Sequence, residues 1–512
     1  MFKDKFHRDV LKALLAISAT LVLCRVTAGG MAVVIALVGA VCALQRKSGL
    51  LAVCYLLSAT LMIFNRAIIG WSALMVASAR FGTMFLIAVM ILTGAGFHGR
   101  VRERVPILWL FAYCGVACIS SLDGWAPMIS YLKLAQYVFF LIGILFITRI
   151  LQQSDRGLYQ MRCAFMALAI IILVGSVIVR FIPSIGYSMQ IGTAADWGIT
   201  LTGEDIAKAE FMTMFNGMTA HSQMLAPTVS IVSAWVLCDM LLVEKRLSYL
   251  HLGVLSVAPI LLYLSRSRGG FLELLAVIGC AVVVCVPRAR LTAVVRSKLT
   301  MLMAGLVLIM FGIAAVMQFR NEAISRWLRK TDDVHGDNRT LTEAFTGSRA
   351  AMIEYNLRDF RLNPLFGKGF QVVRGMERYY RGRKGMLFSA PVEKGVTPYV
   401  VLGETGLAGA TFFTIFLFSF YATCLKRRYL ALLTMFTCMM VANLADSTFF
   451  SPGGGGFMWI YSCVGGFGID LIAIRMAHGT WSGPDGKPSA AFQEGGWGGG
   501  FWSMDPWGRL PT

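Results

Sequence analysis

The chain has 512 residues, 57% of them hydrophobic and 14% charged. That composition excludes an ordinary soluble domain, and repeated apolar runs long enough to cross a bilayer point to an all-α polytopic membrane protein. The formal net charge of +20 does not signal nucleic-acid binding, because most of it falls in short loops between apolar runs, where it sets orientation.

The basic start Met1–Arg8 runs into an apolar stretch with Arg25 soon after it and no small-residue cleavage site. An uncleaved first span is therefore expected. Spans are predicted near 10–24, 27–44, 49–65, 81–97, 105–121, 128–147, 163–182, 222–243, 248–264, 269–286, 299–318, 398–424, 429–445 and 456–474, about 12–14 in total. The first two are short enough to be one broken hairpin, and 66–80 is either interfacial or part of a longer helix. Lys and Arg concentrate in every second loop: Arg46-Lys47, Arg100 to Arg104, Arg149 to Arg162, Lys245-Arg246, Arg288 to Lys298 and Lys426 to Arg428. The short alternate loops, such as Asp123-Gly124-Trp125-Ala126-Pro127, are poor in them. This alternation places both termini in the cytoplasm.

Two long loops then lie outside, 183–221 and 319–397. The second carries fifteen Lys and Arg against nine Asp and Glu, an excess on the side where short loops avoid it, and suggests a site for an anionic substrate. Within it, Ser348 to Leu362 is predicted as a helix, from apolar spacing at Met352, Ile353, Tyr355, Leu357 and Phe360. Asn363-Pro364 ends it, and the turn Phe366-Gly367-Lys368-Gly369-Phe370 follows. The chain thus divides into 1–210 (first spans and first outer loop), 211–318 (central spans), 319–397 (large periplasmic loop), 398–475 (final spans) and 476–512, a Gly- and Trp-rich tail expected to be disordered. The twelve Cys all lie in or beside spans, so neither a disulfide framework nor a Cys-rich metal site is expected.

Several residues can carry chemistry. In Ser265-Arg266-Ser267-Arg268-Gly269-Gly270, two arginines sit at the outer mouth of a span, where a buried guanidinium is costly and matches phosphate oxygens. The alternative is snorkelling at the interface. Arg349, after the candidate N-cap Ser348, would join an anion site at a helix start. His221 and Gln223, where the first long loop meets a span, suit a substrate hydroxyl or proton transfer. Glu393-Lys394-Gly395 leads into the span after the large loop as an anchor or as working residues.

These fragments, in this order, resemble the O-antigen ligase and O-antigen polymerase superfamily of bacterial envelope enzymes. The resemblance covers about residues 210 to 475 and rests on Ser265–Gly270, Gly347-Ser348-Arg349, Asn363-Pro364-Leu365-Phe366-Gly367-Lys368-Gly369-Phe370 and Glu404-Thr405-Gly406-Leu407-Ala408-Gly409. His221–Ala226 adds a polar motif opening an earlier span. The resemblance implies a GT-C-like helical membrane fold and a metal-independent glycosyltransferase without a cofactor. Its donor would be an undecaprenyl-diphosphate-linked glycan in the inner membrane and its acceptor a second glycan. Membrane lipids, a chain-length regulator or a flippase are the further partners implied. Arg268 and Arg349 match the arginines that hold the diphosphate, with Arg266, His221, Gln223, Lys368 and Lys394 as binding residues. Ligases carry a His-Asn pair shortly before the Glu-Thr-Gly motif, where this chain has Glu393-Lys394-Gly395-Val396-Thr397. That departure favours a polymerase over a ligase and nominates Glu393 as base. A polysaccharide flippase is the alternative from another class.

Overall fold

A computed structural model describes residues 2–27, 30–69, 73–93, 104–182, 215–219, 222–245, 247–265, 267–285, 341–374, 395–445, 449–451 and 454–482. Among these residues the secondary structure is helical, with one isolated bridge between Phe64 and Thr219. Five helices are long and apolar enough to cross a membrane, and seven shorter apolar helices accompany them. The protein is a helical membrane protein. The predicted span 299–318 and the tail beyond 482 lie outside the described residues.

In chain order the helices are α1 (Phe2–Val26), α2 (Gly30–Leu44), α3 (Ser48–Thr60), α4 (Arg66–Ile69), α5 (Ala73–Leu92), α6 (Arg104–Leu122), α7 (Pro127–Gln152), α8 (Asp155–Arg180) and α9 (Ser222–Cys238). They continue with α10 (Tyr249–Leu264), α11 (Arg268–Cys285), α12 (Leu341–Leu362), α13 (Thr397–Arg427), α14 (Leu430–Ala445), α15 (Gly454–Trp459) and α16 (Phe467–Ala477). Residues 73–80 belong to the longer helix α5, the second of the two readings of 66–80. The first two spans are separate helices.

Two expectations for the large loop need correction. Its helix begins at Leu341, not at Ser348. Glu343 and Ala344 are favourable helix formers, and an interior Gly347 costs only about 1 kcal/mol. Ser348 is therefore not an N-cap. The amides of Ser348 and Arg349 lie two turns inside α12, engaged in the helix ladder rather than open to an anion.

α9 is the hub. It runs on into a π-helical segment, Asp239–Glu244, and the span Met224–Glu244 is the most buried of the five. It packs against α8, α10, α11 and α14. A helix apolar on all sides is stable only when surrounded, and Leu225, Val229, Val232 and Trp235 are all buried. The wide π turn brings Asp239 and Glu244 onto one side, where Arg162 of α8 reaches both at 2.7 and 2.5 Å. His251 of α10 adds its Nε2 to Asp239 at 2.9 Å. Buried charges persist only when paired, so this cluster fastens three helices at one end of the bundle. At that same end Arg162 lies over the Phe6 ring of α1, and Arg475 of α16 binds Asp155 of α8. We call this the basic end.

Candidate functional site

The opposite end of the bundle is closed by a handshake between the large loop and α13. α13 is broken at Gly406, whose φ of 63° and ψ of −162° depart from helical geometry. A broken helix leaves carbonyls and amides without helical partners, tolerable at membrane depth only where protein supplies new ones. The turn after α12 supplies them. Lys368 N–H donates to the Gly403 carbonyl at 2.9 Å, and Gly369 N–H to the Glu404 carbonyl at 3.1 Å. In the other direction, Leu407 and Ala408 N–H donate to the carbonyls of Pro364 and Leu365 at 2.8 and 3.1 Å.

Glycine is required where the two backbones touch. A Cβ on Gly367 (φ 73°) would collide with the Glu404 carbonyl, and one on Gly406 with the Leu365 carbonyl. The turn is anchored from below by Phe370, fully buried against Tyr137 and Phe450 with ring centroids 5.9 and 5.7 Å apart. Asn363 Oδ1 accepts from Phe366 N–H at 3.2 Å and shapes the turn.

Around this handshake lies a buried polar layer. Ser120 of α6 donates to the Glu404 carbonyl and accepts from Gly369 N–H at 3.0 Å. Ser130 of α7 donates to the Phe370 carbonyl at 2.9 Å. Lys133, on the next turn of α7, is 6% exposed and donates to the Gln371 carbonyl at 2.9 Å. Gln371 N–H donates in turn to Glu404 Oε1 at 2.9 Å. Lys133 and Glu404 thus hold the carbonyl and the N–H of one residue, Gln371, and each is an ionisable group inside an apolar helix, where such groups mark function or a required pairing.

Above the layer, Lys368 Nζ pairs with Asp123 at 2.8 Å. Trp125 N–H donates to the Lys368 carbonyl at 3.1 Å, and its indole N–H reaches Asp359 of α12 at 3.1 Å. The Arg374 guanidinium lies 5.3 Å from the Trp125 ring, a cation–π distance. Burial pushes the Tyr355 phenol above its ordinary range, so the oxygen that accepts Arg374 N–H at 2.7 Å stays protonated.

Of the residues singled out from sequence, Lys368 is the one whose side chain is described. Arg268 is the first residue of α11, and Arg349 lies in α12. Gln223 is in the first turn of α9. The side chains of these three, and all of His221, Arg266, Glu393 and Lys394, lie outside the described residues. The backbone still relates them. A Cβ on Gly270 would come within 2.8 Å of Ala226, which sits one turn past Gln223. Ser230 of α9 donates to the Gly270 carbonyl at 3.3 Å. The starts of α9 and α11 are therefore side by side, and Gly270 permits that approach. Gly395 (φ 81°) sits against Met352 of α12, one turn past Arg349, just after Glu393 and Lys394 in the chain. Sequence reasoning missed Lys133, Trp125 and the buried role of Glu404. The available signal was that Lys133 and Glu404 are each the lone charge within a predicted span, 128–147 and 398–424.

A search with family models gives no match, and a search of curated proteins gives none either.

Proposed function

We propose that the protein is a metal-independent glycosyltransferase of the GT-C kind. It polymerises oligosaccharide repeat units carried on undecaprenyl diphosphate, at the outer face of a bacterial inner membrane. The observation that carries this reading is the handshake. Two of the fragments on which the family resemblance rests, Asn363–Phe370 and Glu404–Gly409, interlock through three backbone hydrogen bonds, with a fourth to the adjoining Gly403, beside the helix that carries Arg349. Fragments that are separate in sequence and dock on one another are what a shared site requires.

In this reading the acceptor hydroxyl attacks the anomeric carbon of the donor. The bond from that carbon to the diphosphate oxygen breaks, and the hydroxyl proton passes to Glu393. Arg268 and Arg349 stabilise the charge that develops on the leaving diphosphate, the task for which a fixed guanidinium is suited. Arg266, His221, Gln223 and Lys394 hold glycan or phosphate. Lys368 faces Asp123, whose side chain is 77% exposed, and can exchange that carboxylate for a phosphate oxygen.

The deciding experiment is surface-glycan analysis in a strain lacking the gene. Single capped repeats, with carrier-linked units accumulating outside, are the expected result. A lipid A core without glycan would replace the polymerase by a ligase. Repeat units accumulating inside would replace it by a flippase.

A further inference from the structure

At the basic end, remote from the handshake, a cavity of about 130 Å³ opens between α6, α7, α13, α14 and α16. Its walls are apolar over most of their extent, with Leu110, Ile144, Phe416, Phe420, Trp459 and Phe467 among the lining groups. Its polar lining gathers at the end of α7, where Thr148, Arg149 and Gln152 face the same space. Thr423 and Cys424 of α13 line it too, and Lys426 and Arg427 follow in the exposed last turn of that helix.

We infer that this cavity binds an anionic phospholipid, with part of an acyl chain among the aromatic side chains and the phosphate at Arg149, Lys426 and Arg427. An unfilled apolar void forfeits the contacts of its walls, and inside a bilayer the acyl chain is the available filler. The cations at one end select the headgroup: a guanidinium binds phosphate oxygens in bidentate fashion, and basic pockets between membrane helices hold anionic lipids. The apolar walls suit an acyl-chain segment. The lipid would brace the end of α13 opposite its break at Gly406. This inference does not depend on the proposed glycosyltransferase activity.

The test uses the full chain, purified in detergent and stripped of lipid. Phosphatidylglycerol bearing a diazirine in its acyl chain is expected to label peptides containing Phe416–Cys424 and Trp459–Phe467. Excess unlabelled phosphatidylglycerol should suppress that labelling, and phosphatidylcholine with the same chains should not. In Arg149→Gln the phosphatidylglycerol needed for suppression should rise about tenfold, the loss of one charge-assisted contact. Equal suppression by phosphatidylcholine would overturn the inference, leaving only bulk lipid in an apolar crevice. Labelling spread evenly over the lipid-facing helices would overturn it as well. Because labelling and suppression are read on the wild-type chain, the result stands even if Arg149→Gln fails to fold.

Discussion

Single side chains carry the sharpest expectations. Under the proposed reaction, Arg268→Ala and Arg349→Ala each abolish detectable polymer while the protein still inserts. Losing a charge-assisted contact to a leaving diphosphate costs roughly 3 kcal/mol, about a hundredfold in rate. Arg268→Lys restores activity only in part, since an ammonium lacks the guanidinium fork. Polymer length on cell extracts, at matched protein level, checks both. Proton transfer distinguishes two further groups. Glu393→Gln should slow single-turnover transfer by at least about a hundredfold. His221→Gln should act mainly on donor affinity. An unchanged Glu393→Gln rate at saturating donor and acceptor would reduce Glu393 to an anchor. Some of this scale is legible in sequence: the pair Gly269-Gly270 allows close approach of a helix or ligand, and in the fold Gly270 lies against Ala226 of α9. The roles of Lys133 and Glu404 are not legible, because they act on the backbone of Gln371, distant in the chain from Lys133.

Among elements, α13 is the one that sequence describes least well. The apolar run gives an uninterrupted span over 398–424, with Gly406 inside it. Its break becomes intelligible only beside the turn that satisfies the freed groups. The turn itself is plain in the sequence, from Asn363-Pro364 and its paired glycines, but its docking place is not. The start of α12 was misplaced because Gly347-Ser348 resembles a helix entrance, while the helix formers ahead of it extend the helix. The handshake makes a stability prediction. Gly406→Ala and Gly367→Ala force a positive φ on a side-chain residue and also a backbone clash, so each should destabilise the protein by about 3 kcal/mol or more. Gly253→Ala, where a Cβ meets nothing within 4 Å, should be neutral or slightly stabilising. Thermal unfolding of the detergent-solubilised proteins measures the contrast. Equal shifts for Gly406→Ala and Gly253→Ala would mean that the close contact yields.

At the level of the whole molecule, the alternation of charge gives the orientation test. Single reactive cysteines placed within 330–390 should label from outside in intact spheroplasts, and those beyond Ala477 only after permeabilisation. Protection of the 330–390 sites would reverse the orientation expected from charge. The helical membrane class was legible from composition alone, because apolar content at this level leaves few other solutions. The packing order around α9 was not, since every span is apolar and periodicity does not say which one is surrounded.

The interlocking of α13 with its preceding turn also bears on how the protein is made. The residues around Gly406 cannot satisfy their backbone groups within their own segment, and lipid offers them nothing. Their partners, Pro364 to Gly369, come earlier in the chain, in the segment expected to be exported. The final arrangement of α13 must therefore await delivery and folding of that segment. Biogenesis acquires an order of events: export of the polar loop first, closure of the turn next, and only then a settled α13. A chain whose loop stalls on the wrong side would carry an unfinished helix into the bilayer, a defect visible to membrane quality control.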